Sequence, residues 1–320
     1  MQDDSTNVNS EPGRVSVPNA VPWSGRELLF ALYLVWYFWP LTAYLGVTAL
    51  GVEHWYYGDD AGEMQARLSL WSGILALPMQ LLTIPLLFSA FSQTRLDQLG
   101  LTTRRFGRNV LLGLAGALLL APPVFGINYF LRYLYSQGGD HVERHVLEKI
   151  AQHSLFPTEW ILLFFAAMVS APLVEELIFR GVLQPWLAAR RWGGHVAMLG
   201  ALVLAVVQRW ERLRTAWPEG VPPLMEAAAP VLFVLALLPL YLLVWRLSRT
   251  PVAPAIFGTS LMFACIHSAW PTPIPLFVLA LGLGVLAQRT RSLVGPIVLH
   301  SLFNGVSCVQ LLSETLISHR

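Results

Sequence analysis

Ala171-Pro172-Leu173-Val174-Glu175-Glu176-Leu177-Ile178-Phe179-Arg180-Gly181 sets two adjacent carboxylates and an arginine inside an apolar run that begins near Trp160. The other long hydrophobic segments carry no acidic residue by this reading. One charged side chain at membrane depth costs about 2.5–3.5 kcal/mol on insertion scales. A chain that keeps three must pair them internally, use them, or both.

Working outward, the chain is 55% hydrophobic and only 12% charged over 320 residues. Soluble domains carry about 25% charged residues. The sequence therefore predicts an all-α, polytopic transmembrane helix bundle of eight to nine spans. Five runs reach the length of about 20 apolar residues that a span needs: 28–50, 69–91, 110–135, 160–187 and 227–247. Four shorter ones lie at 196–207, 252–269, 274–287 and 293–312. Residues 1–27 read as a polar N-terminal tail without the apolar core of a signal peptide. Residues 28–157 read as N-terminal transmembrane helices, 158–313 as the chemistry-bearing membrane domain, and 314–320 as a C-terminal tail.

Arginines cluster after the second, fourth, sixth and eighth runs, at Arg95, Arg104, Arg105, Arg108, Arg190, Arg191, Arg246, Arg249, Arg289 and Arg291. The positive-inside rule puts those loops and the N-terminus in the cytoplasm. Arg209, Arg212 and Arg214 fall on the other side by this count. Net charge is +2, so nothing indicates a nucleic-acid partner; the expected surroundings are membrane lipids. Cys265 and Cys308 both sit in apolar runs and read as small core residues rather than a disulfide framework.

Three constellations carry candidate chemistry. In the first, Glu176 and Arg180 are four apart and meet on one helix face. Glu175 then points about 100° away. The second is Phe263-x-x-x-His267, and the third is His300-x-x-x-Asn304. Singly, each has a structural reading, as a buried ion pair, an interhelical hydrogen bond or helix glue. Together they supply a general base, its partner and oxyanion donors, or metal ligands. His141 and His145, with Glu143 and Glu148, have the residue types to bind a metal in the loop before the fourth run, but read first as a solvated amphipathic helix face. There is no Gly-x-Ser-x-Gly, no aspartate inside any run, and no His-Glu-x-x-His. Serine, aspartyl and zincin-type readings fail on that ground.

The ordered triple, with Gly295-Pro296-Ile297-Val298-Leu299-His300 around its last member, resembles the CAAX prenyl endopeptidase and bacteriocin-immunity family of intramembrane proteases over roughly 160–310. The resemblance implies an endopeptidase acting on a membrane-associated protein or peptide, with a lipid-modified substrate as the family precedent. It implies that Glu175 activates water, that His267 helps hold it, and that His300 and Asn304 stabilise the oxyanion. Glu176, Arg180 and Phe263 would support them. Two mechanisms stay open: a zinc ion on Glu175, His267 and His300, or a metal-free glutamate mechanism. A non-catalytic immunity or scaffold protein, or a small transporter, is the other functional class. The implied location is a bacterial inner (plasma) membrane, multi-pass.

One departure matters. Glu175 to His267 spans 92 positions, far more than the family pattern. The extra text at about 194–250 reads as two inserted helices, peripheral to the catalytic bundle, with a polar loop at 209–226. Were the run ending in Gln208 to take the histidine helix's place, His267 would be displaced and the protein a pseudoenzyme. Rise along the helices, about 1.5 Å per residue, sets Glu175, His267 and His300 within a core of about 30 Å. That predicts one buried cleft shared by all three.

Overall fold

The computed structural model describes residues 21–51, 61–137, 143, 146–151, 157–267 and 269–318. Most of the expected N-terminal tail, and both His141 and His145, lie outside the described residues. Among those described, the chain is a helix bundle with no strand. Eight helices are long and apolar enough to cross a membrane.

The long helices are α1 (Gly25–Ala49), α2 (Met64–Ser92), α3 (Phe106–Gln137) and α5 (Pro157–Ala188), α6 (Gly193–Ala216) and α7 (Val221–Leu247), and α9 (Pro273–Thr290) and α10 (Val294–Ser318). Two short ones complete the set: α4 (Val146–Ala151) and α8 (Val252–Ile266). Several sequence boundaries shift. The run expected at 196–207 is the middle of a 24-residue helix, so Arg209, Arg212 and Arg214 are helical rather than in a loop. α10 continues through most of the segment set apart as a C-terminal tail. The expected seventh span at 252–269 is α8, whose 15 residues rise only about 22 Å. That is short of the hydrocarbon thickness of about 30 Å.

α8 can stop inside the bundle because it is wrapped by protein. It packs on α6, α9, α7 and the end of α5. Residues from Pro254 to Leu261, and again from Phe263 to Cys265, are buried. Non-helical backbone at membrane depth is tolerated only where protein or a water-filled cavity satisfies it, and His267 is the residue at which α8 ends. α3 packs on α9 and α10, while α1 packs mainly on α2.

Three helical segments carry a wide π turn: Leu34–Phe38, Ala166–Ser170 and Leu177–Leu183. Each ends shortly before a proline, at Pro40, Pro172 and Pro185 respectively. Proline has no N–H for the carbonyl four residues back. The ladder relaxes into the wider i→i+5 pattern, which recurs at functional sites. Two of the three turns lie in α5, on either side of Ala171–Glu176.

Candidate active site

Glu176 and Arg180 pair as their spacing predicts. Arg180 Nη1 donates to Glu176 Oε1 at 2.9 Å, and both side chains are almost wholly buried, at 2% and 0% exposure. Arg180 Nη2 also donates to the Ala280 carbonyl at 3.3 Å. Its guanidinium lies 4.5 Å from the Phe263 ring centroid. A buried pair survives only when such further partners satisfy it. Glu176 has more to do than pair: the same Oε1 accepts from His300 Nδ1 at 2.9 Å.

That bond fixes the chemistry of His300. A carboxylate bonded to Arg180 is an acceptor, so Nδ1 carries the proton and, in the neutral ring, Nε2 holds a lone pair. Nε2 stands 3.9 Å from Glu175 Oε2. Sequence spacing sends the two glutamates to different faces, yet one imidazole reaches both, because its two nitrogens point in different directions. His300 is 3% exposed.

His267 is oriented in the same way. Its Nδ1 is 2.9 Å from the Phe263 carbonyl, which can only accept, so Nε2 is again the acceptor nitrogen. The Phe263 ring lies 4.9 Å from His267 and 5.7 Å, edge-on, from His300. Phe263 is thus the hub of the second motif: its carbonyl sets one histidine, and its ring separates the two and faces Arg180. Asn304 Nδ2 donates to the Ala167 carbonyl, 2.8 Å away, inside the first wide turn of α5. One of its two N–H groups therefore holds helices together, which limits it to a single donor for any oxyanion.

Glu175, His267, His300 and Asn304 line one cavity of about 490 Å³, with Phe263 in its wall. Ser170, Arg132 and Glu148 line it as well, and Arg132 pairs with Glu148 at 3.0 Å. Gln208, at the end of the run that could have displaced His267, is outside the cavity lining. Its Nε2 reaches the Ile266 carbonyl at 3.5 Å. α6 and α7 pack against α8, α6 also touches the end of α5, and among the described residues neither has a major contact with α10.

Glu143 was missed. In the sequence it belongs to an apparently solvated acidic and histidine-rich stretch. In the fold it clamps the backbone just past His267: its N–H bonds the Trp270 carbonyl at 3.2 Å, and its Oε2 accepts from the Trp270 N–H at 3.2 Å. Its Oε1 accepts from Arg209 Nη1 at 2.5 Å and also from Arg212. The signal was Arg209, a cation late in an apolar run with no acid on its own helix face. Glu159 pairs with Arg67 of α2 at 2.6 Å, and both side chains are buried.

Among the described residues no three His, Cys, Asp or Glu side chains come together as an ion-binding group. Glu175, His267 and His300 share a cavity without forming such a group.

Residues 157–242 and 231–306 match the family described as type II CAAX prenyl endopeptidase, Rce1-like. The two matched segments contain all four cavity residues named above. No curated protein and no solved structure matches the chain.

Proposed function

Through these segments the chain belongs to the type II CAAX prenyl endopeptidase Rce1-like family, and we propose that it is an intramembrane endopeptidase in which Glu175 activates the attacking water without a metal. The observation that carries this reading is the 3.9 Å gap between Glu175 Oε2 and His300 Nε2. Both atoms are acceptors. A water within about 2.8 Å of each donates one O–H to the carboxylate and the other to the imidazole. Its lone pair is left facing the cavity, which is the orientation a nucleophile needs.

In the reaction that follows, the water oxygen bonds to the scissile carbonyl carbon. One of its protons passes to Glu175, and the carbonyl oxygen becomes an oxyanion. In this reading the second Nδ2–H of Asn304 donates to it, as does any N–H that His267 or His300 gains on taking up a proton. Glu175 then gives its proton to the departing amide nitrogen, the C–N bond breaks, and a carboxylic acid and an amine leave. Glu176 and Arg180 act one step removed, keeping the His300 proton on Nδ1. The two inserted helices α6 and α7 buttress α8 and carry no reacting group.

The substrate in this reading is a membrane-associated protein or peptide, and the mixed apolar and polar cavity lining admits a lipid-modified one. The test is proteolysis by purified protein in lipid nanodiscs. Prenylated and unprenylated forms of one peptide are offered, with and without a zinc chelator. Cleavage that resists chelator and disappears in Glu175→Gln supports the reading; loss on chelation that zinc restores overturns the metal-free mechanism. Turnover should fall on acidification, since an imidazole nitrogen accepts only while the ring is neutral. Protonating Nε2 removes the second acceptor for the water. Activity that does not fall on acidification of the folded protein contradicts that orientation scheme.

A further inference from the structure

A second cavity, of about 650 Å³, lies at the other end of α5. It is lined by the loop before α3, the turn between α9 and α10, and the last turns of α5. Besides the buried Arg180, four arginines line it: Arg104 and Arg105 from the first loop, Arg289 and Arg291 from the turn. All four are exposed, and none makes an ion pair among the described residues. Asp97 also lines the cavity, but Arg95 neutralises it at 2.8 Å. The backbone holds Arg105 and Arg291 at φ 57° and 51°, a left-handed conformation that non-glycine residues seldom adopt.

Exposed arginines alone would be an interfacial belt. Two buried polar atoms make this a built site. Trp23 is 1% exposed and lines the cavity, and its Nε1 has no hydrogen-bond partner. Gln184 is 2% exposed and lines it too; its Nε2 donates to the Gly284 carbonyl at 3.1 Å, while its Oε1 has no partner. A buried unpartnered donor or acceptor forfeits its hydration without return, and a native fold seldom leaves both beside one cavity unless something fills it. The combination is one indole N–H, one amide oxygen and four guanidinium groups. It matches a phosphate that also carries a hydroxyl.

We propose that this cavity binds a phosphodiester or phosphomonoester bearing a hydroxyl-rich group, the chemistry of a glycerol-phosphate headgroup. The arginines and the Trp23 N–H take the phosphate oxygens, and Gln184 Oε1 accepts from the hydroxyl. Two long helices, α3 and α10, begin beside it, so their N-terminal dipoles add to the attraction. Basic pockets between helices on the arginine-rich side of a membrane are suited to anionic headgroups. The site is separate from the endopeptidase reading and stands or falls without it. Arg180, which forms part of this cavity's wall, lies between the two cavities.

The experiment uses full-length protein in phosphatidylcholine nanodiscs. Lipid retention is read by native mass spectrometry and binding by thermal unfolding. Phosphatidylglycerol is added in one arm, soluble glycerol phosphate in a second, and phosphatidylserine, with no glycerol hydroxyls, in a third. Phosphatidylglycerol should bind one per protein and outcompete phosphatidylserine. Arg289→Gln with Arg291→Gln should weaken it about 10- to 30-fold. Trp23→Phe removes the N–H but keeps the ring stacked on Phe88, 5.4 Å away, and should weaken it about 3- to 10-fold. It serves where the double arginine variant fails to fold. Glycerol phosphate binding as tightly as the lipid, with the same residue dependence, assigns the site to a soluble ligand of this chemistry. Equal retention of both anionic lipids, unchanged in Trp23→Phe, overturns the proposal, since surface charge alone then explains it.

Discussion

α7 and α8 are neighbours, both apolar, and they live in different solvents. α7 has 27 residues and leaves Leu235, Leu240, Leu242 and Leu243 each about half exposed. α8 has 15 and buries Ala255, Leu261, Phe263 and Ala264 completely. Hydropathy separates neither from the other, because it measures transfer out of water, and both have left water. What differs is side-chain size. In lipid there is no hydrophobic force between helices, so close approach by small residues decides which helix is inside. α8 supplies Ala255, Gly258, Thr259, Ser260 and Ala264. A Cβ on Gly258 would stand 2.4 Å from the Ala197 Cβ of α6, and one on Gly194 would stand 2.7 Å from Pro254. The leucine-rich helix faces outward and carries none of the candidate site, while the small-residue helix ends at His267.

This contrast can be broken at several points. The largest effect is expected at the site that α8 completes. Glu175→Gln should lower turnover by about 10²–10⁴-fold, with its unfolding temperature close to that of the parent protein. Wild-type cleavage by that variant would sink the mechanism. Next comes Glu176→Ala, which leaves Arg180 buried without its carboxylate. Stability should fall by about 3–5 kcal/mol, seen as poor yield and early unfolding. Rescue by a second change, Arg180→Met, would show that the loss is the unpaired charge rather than a reaction step.

Gly258→Val tests the packing itself. It should cost about 1–3 kcal/mol as α6 is forced off α8, and cleavage should drop with it because His267 sits at the end of the displaced helix. Glu143→Gln is a milder version from outside the bundle. It loosens the Trp270 clamp, so kcat should fall several-fold while KM stays near its parent value; an unchanged kcat would remove Glu143 from any role in placing His267. The smallest effect is expected on α7: Leu243→Ala, half exposed to lipid, should change stability by no more than about 0.5 kcal/mol. A large loss there would mean that α7 is not an outer helix.

Much of the site was legible because its chemistry is sparse. Charges and imidazoles are so costly in apolar runs that Glu175, Glu176, Arg180, His267, His300 and Asn304 stand out in the sequence without any alignment. The prolines at positions 40, 172 and 185 foreshadow the wide turns, since a missing N–H is a local fact. Glu143 was not legible. Its partners lie 66 and 69 residues away on α6, and nothing local distinguishes it from a solvated acid. Trp23 and Gln184 were invisible for the converse reason, because a missing partner is a property of the finished packing.

The sequence by itself determined an all-helical membrane protein, the order of its motifs and the Glu176–Arg180 pair, all of which depend on composition or on spacing within one helix. Only the tertiary structure decided that α8 stops short of a full span, that α6 and α7 pack behind it, and that one histidine reaches both glutamates. Each of those depends on which helix faces protein and which faces lipid. That choice is made by contacts between residues tens to hundreds of positions apart, such as His300 to Glu176 across 124, and apolarity along the chain does not encode it.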